Sequence, residues 1–188
     1  QCTQGELAIT YSDRAKVFMN TESHKSNNYR GLMTWFYGQA VNASIHRDVT
    51  SENTDLIGYK MLVTPFMFNL SDEYVARAKA FVEAGGIWLV GPMTGGRTKE
   101  HTINTDAGMN KMVEELAGIE VMSSYPIDKT GSIGEAFGVK APLRLWTHQF
   151  EVKDAKVMGW IRGGITPDEP FISERQLAMG TAPAEVIV

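Results

Sequence analysis

Apolar positions in the first two-thirds of the chain come in short blocks separated by polar loops, and block spacing separates two kinds of element. Ala15-Lys16-Val17-Phe18-Met19 ends in the polar stretch 20–28 and reads as a buried first strand. Residues 29–41 then place Leu32, Met33, Phe36 and Ala40 on one helical face, with Trp35 at its margin. Residues 43–49 suggest a second strand. Residues 60–68 (KMLVTPFMF) suggest a third, apolar enough to be covered on both faces. The next helix is marked at both ends. Ser71 is an N-cap, Asp72 and Glu73 favour the positive end of the helix dipole, and Gly85-Gly86 stops it. Between them Tyr74, Val75, Ala78, Phe81 and Val82 form an apolar stripe. Ile87–Val90 is again strand. Met109, Met112, Val113 and Leu116 mark a helix that ends at Gly118, and 119–122 resume as strand.

This βα alternation predicts one α/β domain over residues 1–188, with a mostly parallel sheet between helices on both faces, a three-layer arrangement. From about residue 126 glycine and proline become frequent. Short runs at 143–146, 157–161, 171–173 and 184–188 predict a β-rich continuation. Trp88, Trp146 and Trp160 fall in apparent strands and are expected in the core. Trp35, Phe36 and Tyr37 cannot all face one core from one helix, so at least one is expected near the surface, where surplus aromatic area suits a partner interface.

In open α/β sheets ligands bind beyond the carboxyl ends of the strands, which makes the loops at 20–28, 65–70 and 92–106 the informative ones. The first carries Glu22 and His24; the last carries Arg97, Lys99, Glu100, His101 and Asp106. The last opens with Gly91-Pro92-Met93-Thr94-Gly95. With Ser or Cys in place of Met93 this would read as a nucleophile elbow, a tight turn with small flanking residues presenting a side chain that attacks. A thioether has no proton to lose. Three readings remain: a hydrolase that lost its nucleophile, a domain with another task, or a turn in which Met93 fills a gap and Gly95-Gly96 supplies positive φ.

Composition removes several alternatives. A net charge of −4 offers no basic field for nucleic acid, and no Lys/Arg cluster compensates. No apolar run approaches the roughly 20 residues of a membrane span. The single cysteine, Cys2, excludes an internal disulfide framework and a multi-cysteine zinc site, and is compatible with a reducing, cytoplasmic compartment. The four histidines show no metal-ligand spacing, and no glycine-rich phosphate loop occurs, so no metal or cofactor is expected. The sequons at Asn42 and Asn69 are short enough to arise by chance. An opening Gln and the apolar close at 185–188 read as the ends of a segment cut from a longer protein.

Taken together, AKVFMNTES, the run YKMLVTPFMFNLSDEYVARAKAFVEAGGIWLVGPMTG, the loop GGRTKEHTINTD, VEELAGIEV followed by YPID, and PFISERQLAMG resemble a known domain. It is the middle, trimerisation domain of bacterial β-galactosidases of glycoside hydrolase family 42. The resemblance spans nearly the whole chain, and residues 59–95 carry it most specifically. It implies a flavodoxin-like fold similar to class I glutamine amidotransferases, with the elbow inherited and the thiol gone. In the family, both catalytic glutamates belong to an N-terminal TIM barrel that this chain lacks, so no catalytic residue carries over. The implied role is assembly of a homotrimer whose neighbouring protomers help wall the pocket for a β-galactoside or related glycan. Ten methionines and the GGRTKEHT loop depart from the pattern and imply a divergent branch with a sugar preference other than lactose. The rival readings are a stand-alone amidotransferase-like hydrolase, a sugar-utilisation protein, or a small-molecule binding module.

Overall fold

The computed structural model describes residues 4–21, 28–105, 108–127, 131–164, 168–177 and 184–188. Five strands form the parallel half of a large sheet: β1 (Leu7–Thr10), β2 (Arg47–Thr50), β3 (Met61–Val63), β4 (Ile87–Leu89) and β11 (Glu185–Ile187), in the order β2-β1-β3-β4-β11. From β11 the sheet continues antiparallel through β10 (Glu169–Gln176), β9 (Lys156–Arg162), β6 (Ile133–Ala136) and β7 (Val139–Pro142). A separate antiparallel pair is made by β5 (Ile119–Pro126) and β8 (Trp146–Val152).

Successive strand residues point to opposite faces. Leu7, Ile9 and Val63 therefore pack with Ala15 and Met19 of α1 (Asp13–Thr21) and with Tyr29, Met33 and Ala40 of α2 (Tyr29–Asn42). Ala8, Leu62, Trp88 and Val186 pack on the other face, against the apolar stripe of α3 (Asp72–Glu83) and Val113 and Ala117 of α4 (Lys111–Ala117). The parallel half is thus buried on both sides, which explains its apolar runs. Trp88 is wholly buried, and its indole N–H donates to Thr64 Oγ1 at 3.0 Å, so the ring is enclosed without an orphaned donor.

The helix signals read from sequence act as expected. Ser71 Oγ accepts from the Tyr74 N–H at 3.1 Å, Gly85 sits at φ +100°, and every residue of the predicted α3 stripe is buried. Gly118 closes α4 in the left-handed region as read, and the structure adds an N-cap, Asn110, that was not singled out from sequence.

Five expectations are corrected. Ala15–Met19 is helix, not strand: Ser12 Oγ accepts from the Ala15 N–H at 3.2 Å, and Val17 is 62% exposed although a strand would align it with buried Ala15 and Met19. The first strand is Leu7–Thr10, too short to show a period. The strand at 60–68 stops at Val63, where Pro65 and a positive φ at Phe66 turn the chain out of the ladder. The run 143–146 is not strand until Trp146, because Leu145 lies at φ +71°. The sheet is parallel only in its first half: β5 leaves it to pair with β8, and β11 takes the place beside β4. Trp88 is core as expected, but Trp146 is half-buried and Trp160 is 39% exposed, because the antiparallel extension is not covered on both faces. Trp35 is exposed, as the three-aromatic run requires. Among the described residues no helix is long and apolar enough to cross a membrane.

Candidate functional site

The chain leaves β3 at Pro65 and β4 at Gly91, and the two exits run in contact. A Cβ on Gly91 would stand 2.5 Å from Pro65 Cα, so this flank admits glycine alone without backbone movement. The Phe66 N–H donates to the Pro92 carbonyl at 3.0 Å, Gly95 N–H to the Met67 carbonyl at 2.8 Å, and Arg97 N–H to the Phe68 carbonyl at 2.9 Å. These bonds hold residues 65–70 and 91–97 as one unit.

Met93 stands at the turn with φ +62°, a region that bulky side chains seldom occupy, and Gly95 follows at φ +71°. The thioether is half-buried. Thr94 is buried. Its hydroxyl donates to the Thr64 carbonyl and accepts from the Met67 N–H at 3.3 Å. It is a structural clamp between the two loops, not a nucleophile with a base beside it.

A histidine does lie at the turn. The Met93 N–H donates to His148 Nε2 at 3.1 Å, from β8. An N–H donor facing Nε2 requires a lone pair there, which places the ring proton on Nδ1. Nδ1 then donates to Ser124 Oγ at 2.7 Å. Ser124 therefore faces an N–H, not a base, and the pair cannot run acyl transfer in this state. Burial alone pushes the imidazole down to about 4, so the ring is neutral at physiological pH.

Beside the turn opens a cavity of about 510 Å³, with Phe18, Phe66, Phe68, Met93, Leu145 and Trp146 among its walls. It lies at the carboxyl ends of β3 and β4, where an open α/β sheet presents its ligands. Of the loops singled out from sequence, 65–70 and 92–106 contribute to it, while most of 20–28 lies outside the described residues.

The residues named in advance are dispersed. Glu22, His24 and Asp106 lie outside the described residues. Arg97 reaches the cavity, its guanidinium 5.4 Å from the Phe18 ring centroid. His101, at φ +66°, stacks on Phe18 with centroids 5.4 Å apart and planes at 5°. Glu100 points to solvent beside Lys99, 3.7 Å away. Met93 and Arg97 thus share the cavity, His101 backs one wall, and Glu100 is not part of it. Among the described residues no group of His, Cys, Asp and Glu comes together that could hold a metal ion. Phe18, Ser124, Leu145 and His148 were missed. Phe18 fell within a misassigned strand, and the other three reach the turn only because β5 and β8 fold back over it.

Residues 5–183 match the family model of the β-galactosidase trimerisation domain. The chain is 46% identical over 177 residues to β-galactosidase YesZ of Bacillus licheniformis and 44% identical to YesZ of Bacillus subtilis strain 168, covering 94% of this chain in each case. It spans 26% of the length of either relative. Among solved structures, a catalytic mutant of the GH42 β-galactosidase Gan42B of G. stearothermophilus superposes with a TM-score of 0.88 at 20% identity, over 98% of this chain and 27% of that one. The β-galactosidase of the haloarchaeon Halorubrum lacusprofundi gives 0.87 at 18% identity, over 98% and 27%. A β-galactosidase chain from Bifidobacterium adolescentis gives 0.60 at 18% identity, over 99% of this chain and 91% of that one. The structural matches, at such identities, speak to the fold alone. The family match covers nearly the whole chain, and with it this chain belongs to the β-galactosidase trimerisation domain family.

Proposed function

We propose that this chain is the non-catalytic assembly domain of a β-galactosidase, joining protomers into a homotrimer while a separate barrel domain performs glycoside hydrolysis. The family match over residues 5–183 carries this reading. The thioether at the elbow and the engaged hydroxyl of Thr94 support the non-catalytic part. The substrate of the whole enzyme is then a β-galactoside or related glycan, held outside this chain. A bacterial source accords with the Bacillus relatives, and a cytoplasmic setting is part of the same proposal. We read the fold as flavodoxin-like, of the class I glutamine amidotransferase kind. The order β2-β1-β3-β4 with helices on both faces and a tight turn after β4 supports that descent.

The test separates the two parts. The isolated chain is expected to cleave no aryl β-galactoside and to release no ammonia from glutamine. The full-length enzyme is expected to scatter light as a trimer. Turnover by the isolated chain that disappears on Thr94→Val would overturn the non-catalytic part; a full-length monomer at micromolar concentration would overturn the assembly part.

A further inference from the structure

A closed ring of three requires a heterologous contact, in which two different patches of one protomer meet on neighbours. Two unlike apolar features on this chain meet that description. The first is a knob. Strands β6 and β7 pair from Ala136↔Val139 across a two-residue turn, with Phe137 at φ +51° and Gly138 at φ +78°. Both central residues at positive φ make a turn that favours Asn-Gly or Asp-Gly. Phenylalanine at the first position is a bulky side chain held in a disfavoured conformation, and it is 65% exposed, with Val139 beside it 64% exposed. All of β7 is exposed at the edge of the sheet. Within the protomer Phe137 gains little burial to set against its backbone strain. Strain of this kind persists where the surroundings impose it, commonly at functional sites.

The second feature is a hole, the cavity beside Met93. Ile103, 69% exposed, and Met122, 56% exposed, stand at its lining, and Phe18, Phe66 and Phe68 lie among its walls. Three of its polar side chains are engaged: Asn104 Nδ2 donates to the Gly95 carbonyl at 2.8 Å, Ser123 Oγ to Gln149 Oε1 at 3.1 Å, and Ser124 Oγ meets His148 Nδ1; the Arg97 guanidinium lies over the Phe18 ring and can do the same for a second aromatic ring. An aromatic side chain needs apolar walls and finds them. A volume of about 510 Å³ admits a phenyl ring with its neighbours.

We infer that the β6–β7 hairpin of one protomer inserts Phe137 into the Met93 cavity of the next copy of this chain, the heterologous contact that closes the trimer. This rests on the assembly role proposed above. The hairpin suits desolvation, since Glu135 and Lys140 flank the tip as an ion pair at 3.0 Å and add no net charge.

The experiment uses the full-length enzyme. Phe137→Asn relieves the turn and removes the knob. The melting midpoint of the domain is expected to hold or rise while the trimer dissociation constant increases at least about tenfold, as for loss of a buried aromatic anchor. With all other cysteines replaced by serine, Phe137→Cys combined with Ile103→Cys is expected to give disulfide-linked trimers on oxidation, and neither single variant is. A wild-type trimer that keeps its affinity in Phe137→Asn, or that yields no cross-link in the double variant, overturns the contact but leaves the assembly role standing. Cross-linking by Phe137→Cys alone would mean that tips meet tips, which also overturns it. A wild-type monomer overturns the assembly role itself.

Discussion

His148 connects a single side chain to a turn. Its neutral ring accepts from the Met93 N–H and donates to Ser124, and protonation would set two donors against each other at Nε2. Its folded pKa, about 4, lies below the ordinary 6.5, so folding favours the deprotonated ring. The sign follows: this contribution is complete above about pH 6.5 and is lost as pH falls toward 4, a total of roughly 3 kcal/mol at about 1.4 kcal/mol per pKa unit. Denaturant midpoints measured from pH 7 to 4 should therefore fall, and His148→Gln should flatten that dependence while lowering stability at pH 7. A His148→Gln profile as steep as wild type would remove the residue from this role. Gly91 makes a second prediction at the same scale. A methyl group there meets Pro65 backbone at 2.5 Å, so Gly91→Ala should destabilise by about 1–3 kcal/mol, the range of overpacking, in urea unfolding. Gly96, where only the Met93 carbonyl lies near, at 3.5 Å, should tolerate the same change far better.

Helix α3 shows how local signals and packing cooperate in one element. Its cap, acidic first turn and glycine stop agree with its buried stripe, so every local preference points to the same structure. Ser71→Ala should cost about 1 kcal/mol, the usual worth of an N-cap, seen as a lower thermal midpoint without loss of cooperativity. Helix α1 makes the contrast. Its nine residues present Val17 to solvent and Phe18 to Phe68, Arg97 and His101, and only that tertiary setting separates it from a strand. Val17→Lys should accordingly be tolerated within about 0.5 kcal/mol, as exposed substitutions are, whereas a strand reading would bury a charge.

Strand β11 is a main joint of the whole molecule. That strand pairs parallel with β4 on one side and antiparallel with β10 on the other, and its Val186 is fully buried. It joins the early α/β half of the chain to the later β-rich half. Val186→Asp should place an uncompensated charge in the shared core and abolish cooperative unfolding by calorimetry, since an unpaired buried charge is neutralised only at large cost. Two separate transitions in that variant would show the halves to be independent; a single unchanged transition would refute the joint.

By itself the sequence determined what depends on neighbours along the chain: the capped helix α3, the helix α4 with its stop at Gly118, the amphipathic α2, the strands at β3 and β4, and a turn after β4 whose side chain cannot attack. Periodicity and capping are local physics, and Gly91, Met93 and Gly95 announced their turn by residue type alone. The tertiary structure decided what depends on distant pairing. Four-residue β1 carries too little pattern to stand out, and the apolar block after it fits helix or strand equally until its partners are known. The place beside β4 went to the last strand and not to β5, because pairing is settled by which edge buries the most apolar surface across the chain. The same long-range folding brought His148, 55 residues beyond Met93, to the elbow, and carried Leu145 and Trp146 to its cavity, an arrangement that no spacing along the chain encodes.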